Sequence, residues 1–324
     1  MSATENVFGD LAKKYKIHPE SEAVAKLISE GGVRFYDLDL NGTRKQFEAM
    51  CEPEKRDDFD GTIEELLVPR DSTGGVPVTV FKSSSAPADP LILIHLHGGG
   101  LVAGSRASYD HIARHAADLT SSVVVNVEYR RMPGGDGEGL LPSFDDCTTV
   151  ARWVLDNREK VGGTPASKVG LIGDSAGGQL VCSVTNDIAE GFSFQVLIYP
   201  VTNVSFTQAS SKELHDIPLF NTREAIHIYS LALAGISDAQ DNPRLNPCIR
   251  KNLAQCPPTF IQVAELDGLK DQGIAFGEQL KEAGVATKVK MYEGLPHIFM
   301  LLRQAFPSQF VRGWQDIADF IKSL

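Results

Sequence analysis

The first chemical signal in this chain is the run Gly173-Asp174-Ser175-Ala176-Gly177-Gly178. It follows the short apolar stretch Val169-Gly170-Leu171-Ile172 and precedes a helix-compatible segment from Gln179 to Ile188. In that setting a G-x-S-x-G pattern describes a strand turning sharply into a helix, with one serine exposed on a strained elbow. Small residues at Gly173, Ala176 and Gly177 let the backbone turn without side-chain clashes. A serine hydroxyl is a poor nucleophile near neutral pH; it needs a base, and the base needs an orienting acid. Downstream, the strand-like Phe260-Ile261-Gln262-Val263 runs into Ala264-Glu265-Leu266-Asp267. After Val289-Lys290-Met291 comes Glu293-Gly294-Leu295-Pro296-His297. Both Asp267 and His297 lie just past a strand's carboxyl end, on the rim that an elbow serine also occupies. The order serine, acid, histidine assigns Asp267 as the acid and His297 as the base, and the chemistry would be acyl transfer through Ser175.

Competing assignments are weaker. Asp271 opens a helix and reads as a cap or loop brace, and Glu265 lies within the strand end. His18, His111, His115, His215 and His227 sit in helical or lid-like contexts and read as surface or packing residues. His95 alternates with apolar neighbours in a strand and reads as a hydrogen-bonded core residue. Directly after the apolar run Leu91 to Leu96 comes His97-Gly98-Gly99-Gly100. Its glycines leave backbone N–H groups uncovered, so Gly99 and Gly100, with Ala176 after the nucleophile, are the candidate donors to an oxyanion. His97 reads as a loop brace. A phosphate-binding loop would need G-x-x-x-x-G-K-[ST] or G-x-G-x-x-G, and neither is present.

These residues need strands to carry them. Ile63 to Val68 and Val76 to Phe81 read as strands around the turn-rich Asp71-Ser72-Thr73-Gly74-Gly75. Leu91 to Leu96, Val123 to Val127, Val169 to Ile172, Gln195 to Tyr199, Thr259 to Val263 and Thr287 to Met291 follow. Helical patterns span Pro19 to Glu30, Tyr109 to Leu119, Asp145 to Asn157, Gln272 to Ala283 and Ser308 to Ile321. Alternation of this kind predicts a mostly parallel sheet covered by helices on both faces. Between Thr202 and Pro258 it is interrupted by a helical piece, Thr222 to Ala234, and the run Asp241-Asn242-Pro243-Arg244-Leu245-Asn246-Pro247. That stretch is too long for a simple connection and reads as an inserted lid.

Composition narrows the partners. The 324 residues carry a net charge of −11, which argues against nucleic acid or an anionic membrane surface. No apolar run approaches the roughly 20 residues of a membrane span. Residues 1–16 lack an apolar signal core, and Lys322-Ser323-Leu324 is a transposed version of a peroxisomal signal, so a cytoplasmic location is expected. Five cysteines, with no C-x-x-C pair, read as free thiols, and neither metal nor cofactor is expected.

The paired signatures His97-Gly98-Gly99-Gly100 and Gly173-Asp174-Ser175-Ala176-Gly177-Gly178 resemble the hormone-sensitive-lipase-like branch of the α/β-hydrolases, which includes carboxylesterases and arylacetamide deacetylases. The likeness runs from about Leu91 to the C-terminus. The family's D-x-L-x-D motif matches Asp267-Gly268-Leu269-Lys270-Asp271, whose first position is the triad acid. The resemblance implies an α/β-hydrolase fold with a helical cap. Residues 1–60 and 203–250 would form the cap, and 61–202 and 251–324 the core. It also implies hydrolysis of small to medium acyl esters. Family members often pair as homodimers, though no residue here demands it. Two departures stand out. The family's Y-R-L-A-P-E is Tyr129-Arg130-Arg131-Met132-Pro133 followed by the glycine-rich 134–139. Its H-G-F is His297-Ile298-Phe299, placing a β-branched side chain where glycine is common. Two other readings fit the scaffold: a lyase or cyclase for a specialised metabolite, and a non-catalytic receptor. The complete triad argues against the receptor.

Overall fold

The computed structural model describes residues 7–54, 58–70, 74–133 and 141–324. Eight strands form one sheet: β1 Gly61–Pro69, β2 Gly75–Ser83, β3 Ile92–Leu96, β4 Val123–Val127, β5 Val169–Asp174, β6 Phe194–Ile198, β7 Thr259–Leu266 and β8 Thr287–Pro296. Their order is β1-β2-β4-β3-β5-β6-β7-β8. The first two strands form an antiparallel hairpin, and β2 meets β4 antiparallel. From β4 to β8 every pairing is parallel. Every residue of β3, β4, β5 and β6 is buried. Runs such as Val123-Val124-Val125 suit this, because a parallel strand covered on both faces needs apolar, β-branched side chains throughout.

The helices are α1 Leu11–Lys14, α2 Pro19–Ser29, α3 Leu40–Cys51, α4 Asp110–Thr120, α5 Pro142–Asp156, α6 Ala176–Asp187, α7 Ala209–Glu213, α8 Thr222–Ala232, α9 Lys270–Glu282 and α10 Pro307–Lys322. Helix α10 packs on α4 and α5 on α6, while α9 lies along β7 and β8. The apolar stripe of α10, with Phe310, Trp314 and Ile317 fully buried, is core packing.

Several boundaries differ from the sequence pattern. Helix α5 begins at Pro142 rather than Asp145, since proline's fixed φ suits the first helical turn. Strand β8 continues past Met291 to Pro296 through a register shift opposite Ala264 and Leu266, which carries the chain directly to His297. Helix α3 was not marked by the pattern. Asp39 caps it, accepting the Gly42 N–H at 2.7 Å, and it buries Thr43, Phe47 and Cys51 on one face. The glycine-rich 134–139 and the turn residues 71–73 lie outside the described residues.

The chain leaves the sheet twice, before β1 and between β6 and β7. Those two excursions meet: Phe8, Tyr15 and Ala25 share a small apolar cluster with Leu214, Ile217 and Leu219. Among the described residues no helix is long and apolar enough to cross a membrane. The five cysteines are free.

Candidate active site

The elbow is built where β5 ends. Ser175 has φ 54° and ψ −119°, a strained region for a residue with a Cβ. The end of β6 and the residues just after it hold it there. The Ser175 N–H donates to the Ile198 carbonyl at 2.8 Å, and the Val201 N–H donates to the Ser175 carbonyl at 3.1 Å. Glycine is obligatory at Gly177, where a Cβ would stand 2.0 Å from the Leu96 carbonyl oxygen. Of the six non-glycine residues with positive φ among the described residues, three lie at this site: Ser175, Tyr199 and Ile298. Backbone strain concentrates where the surrounding structure must hold a side chain against its preference.

The structure brings Ser175, His297 and Asp267 into one hydrogen-bonded chain. His297 Nε2 lies 2.8 Å from Ser175 Oγ, and His297 Nδ1 lies 2.7 Å from Asp267 Oδ2. A carboxylate only accepts, so Nδ1 carries the proton and the Nε2 lone pair faces the serine hydroxyl. Asp267 is itself fixed by the Leu269 N–H, which donates to Oδ1 at 2.9 Å. Both His297 and Asp267 are buried. Glu265, the strand-end acid, accepts the Gly294 N–H at 2.7 Å and braces the loop leading to His297. Asp271 points elsewhere: its carboxylate accepts the Ser210 N–H at 2.7 Å and ties α9 to α7.

Gly99 and Gly100 line the same cleft as Ser175 and His297. Their φ values are 106° and 62°, and their N–H groups find no protein acceptor among the described residues. Ala176 opens α6, where a first-turn N–H has no intrahelical partner. The loop is anchored by Asp174, which accepts the Gly98 N–H and the Tyr109 hydroxyl, each at 2.9 Å. Burial pushes the Asp174 carboxyl up to about 6, opposed by those two hydrogen bonds. His97 braces the loop from behind, stacked on Tyr129 at 4.1 Å with Nδ1 2.8 Å from the Gly98 carbonyl. Burial lowers its pKa to about 3. His95 contacts Asn126 Oδ1 at 3.0 Å and, lowered by burial to about 4, is also a neutral core residue.

Both excursions of the chain cover the cleft. Thr43, Phe47 and Met50 of α3 line it together with Phe220, Ala225, Ile228 and Tyr229 from the insertion. A Cβ on Gly100 would stand 2.1 Å from Ile228 Cγ2, so α8 rests on the glycine loop itself. Arg44 of α3 donates to the Val102 carbonyl at 2.9 Å on the loop's far side. The cleft, its open mouth included, spans about 570 Å³. A second space of about 730 Å³ adjoins it, sharing Phe35, Met50, Phe220, His297 and Ile298 as walls. Sequence reasoning named none of these covering residues. The buried i, i+4, i+8 face of α3 (Thr43, Phe47, Cys51) carries two of them, though Gly42 and Thr43 weaken its pattern; Phe220 carried no signal. Among the described residues no cluster of three or more His, Cys, Asp or Glu side chains could hold a metal ion.

A family profile described as the α/β-hydrolase fold matches residues 93–301, from β3 through the loop after His297. The chain belongs to the hormone-sensitive-lipase-like α/β-hydrolases. Within that family it is 29% identical to the ethyl acetate hydrolase of Pseudomonas putida, over 88% of this chain and 92% of that protein. It is 30% identical to the carboxylesterase NlhH of Mycobacterium tuberculosis, over 81% of this chain and 83% of that one. A hyperthermophilic esterase from the archaeon Pyrobaculum calidifontis superposes with a TM-score of 0.85 at 26% identity, covering 95% and 98% of the two chains. As an α/β-hydrolase, this chain places its serine after β5, its acid after β7 and its histidine after β8.

Proposed function

We propose that this α/β-hydrolase is a serine carboxylester hydrolase. The observation that carries the reading is the unbroken chain Asp267–His297–Ser175 opening into an apolar cleft. Ser175 Oγ attacks the ester carbonyl while His297 Nε2 takes its proton. Asp267 holds the imidazole tautomer and stabilises the imidazolium. The carbonyl oxygen becomes an oxyanion held by the N–H groups of Gly99, Gly100 and Ala176, and each such donor contributes about 100- to 1,000-fold in rate. The C–O bond to the leaving group breaks, and Nε2 returns its proton to the departing alkoxide. Water then attacks the acyl-serine with His297 as base, and collapse releases the acid and Ser175. Relatives named for ethyl acetate and carboxylic esters support this reaction class.

Residues 1–60 and 203–250 act as the cap, and the covered cleft between them suits small to medium acyl esters. The test combines labelling and turnover. A fluorophosphonate should add its mass at Ser175 of the wild type and not of Ser175→Ala. A nitrophenyl ester series should show a preference for short acyl groups. An unlabelled, folded wild type refutes the reading, and equal rates from acetate to palmitate refute the size limit.

A further inference from the structure

One group touching His297 does not come from the α/β core. The imidazole meets the Tyr199 ring at 4.5 Å and the Phe220 ring at 5.0 Å, the latter nearly parallel at 25°. Tyr199 directly follows β6, while Phe220 comes from the insertion and immediately precedes Asn221, the N-cap of α8.

The position of Phe220 is set on both sides. Before it, the Ile217 and Leu219 carbonyls accept from Arg34 Nη2 at 3.3 and 3.0 Å. After it, the Asn221 N–H donates to Glu224 Oε2 at 3.1 Å within a capping box. The other oxygen of Glu224 accepts the Phe35 N–H at 3.1 Å, and Arg34 Nη2 lies 3.3 Å from Oε2. Residues 34–35 and 217–224 are thus clasped through one buried carboxylate and one guanidinium. Taking such a pair out of water gains little net stability, but it penalises any arrangement that separates the two. The Phe35 ring meets Phe220 edge-on at 6.2 Å, so Phe220 is wedged between the clasp and the imidazole.

An aromatic face favours a cation over a neutral ring. In the mechanism above His297 turns from neutral imidazole to imidazolium as Ser175 gives up its proton. A contact that strengthens along the reaction raises kcat, whereas one that is constant alters only KM. We propose that Phe220 is a positioning residue for the reaction, carried onto the His297 ring by the Arg34–Glu224 clasp, so that the base is complete only when the N-terminal segment and the insertion are locked together. The proposal rests on the esterase reading of Ser175 and His297.

The test uses the full chain with p-nitrophenyl acetate, following kcat and KM from about pH 5 to about pH 9. Phe220→Leu keeps an apolar cover and removes the ring. It should lower kcat about three- to fivefold, move KM less than about twofold, and shift the acid limb of kcat/KM down by about half a pH unit. The charged and titratable groups facing His297 are Asp267, Asp174 and Tyr199, with Arg34 and Glu224 behind Phe220; none is altered in this variant. Phe220→Tyr should restore both the rate and the limb. Glu224→Gln, which loosens the clasp without touching the ring, should lower kcat in the same direction. It also serves as a second probe if the leucine variant does not fold. Wild-type kcat and acid limb in Phe220→Leu, or a change in KM alone, overturns the proposal. Fluorophosphonate labelling separates the failures: an unlabelled wild type overturns the esterase reading, whereas labelled variants with unchanged kinetics overturn only the role of Phe220.

Discussion

Replacing Asp174 by asparagine should make the protein more stable and the enzyme slower. Asp174 is buried beside the nucleophile, where its carboxylate accepts the Gly98 N–H and the Tyr109 hydroxyl. Burial lifts its carboxyl from 3.8 to about 6. A gap of about two units corresponds to about 3 kcal/mol at 1.36 kcal/mol per unit. The sign follows from proton uptake. Above pH 6 the native state must hold a buried carboxylate that the unfolded chain ionises freely, so the full cost is present there. As pH falls from about 6 toward 3.8 the native state binds a proton before the unfolded state does, and the cost fades. Asparagine cannot ionise, yet its Oδ1 can still accept from the Gly98 N–H while its Nδ2 donates to the Tyr109 oxygen. Asp174→Asn should therefore raise the urea midpoint clearly near pH 7.5, add about 5 °C to Tm there, and lose most of that advantage near pH 4. Its kcat should drop about tenfold, because a charge-assisted tether on the glycine loop becomes a neutral one. A variant less stable than wild type at pH 7.5, or one whose advantage is the same at both pH values, would refute the reasoning.

Two further substitutions probe the elbow and the acid. Gly177→Ala drives a Cβ to 2.0 Å from the Leu96 carbonyl; it should cost at least about 3 kcal/mol and leave little soluble protein, measured by yield and by the circular dichroism melt. Asp267→Asn should lower kcat by about four orders of magnitude through the wrong imidazole tautomer, with the melt nearly unchanged. Asp271→Asn, which alters only the bond to Ser210, should keep kcat within about threefold and lower Tm modestly; equal losses in the two variants would reverse the assignment of the acid.

The central strands were legible because burial on both faces leaves a signature that needs no neighbours to interpret: Leu91 to Leu96 and Val123 to Val127 can be little else. Ser175, Asp267 and His297 were legible for a different reason, since parallel strands deliver their carboxyl ends to one rim. Helix α3 escaped because Gly42 and Thr43 weaken its pattern and its partners, Tyr109 and the loop after Gly99, are distant in sequence. Phe220 was invisible for the same reason in stronger form. Nothing in the run Ile217-Pro218-Leu219-Phe220 tells that Arg34 will hold two of its carbonyls. Asp174 stood in plain view within the serine motif, but its work depends on Gly98 and Tyr109, which only the closed sheet brings near.

The clasp between residues 34–35 and 217–224 also orders the life of the chain on the ribosome. The segment that emerges first has its partners about 185 residues later. Until the insertion has been made, Phe8 and Tyr15 have no Leu214 or Ile217 to cover them, and Arg34 has no carbonyls to grip. Strands β3 to β6 are made in that interval, whereas β7 and β8 follow the insertion, so the N-terminal segment meets its partners before the sheet is complete. A deletion of the first fifty or so residues would take Phe35 and Phe47 out of the main core as well as out of the cover over Ser175, so stability and shielding should be lost together.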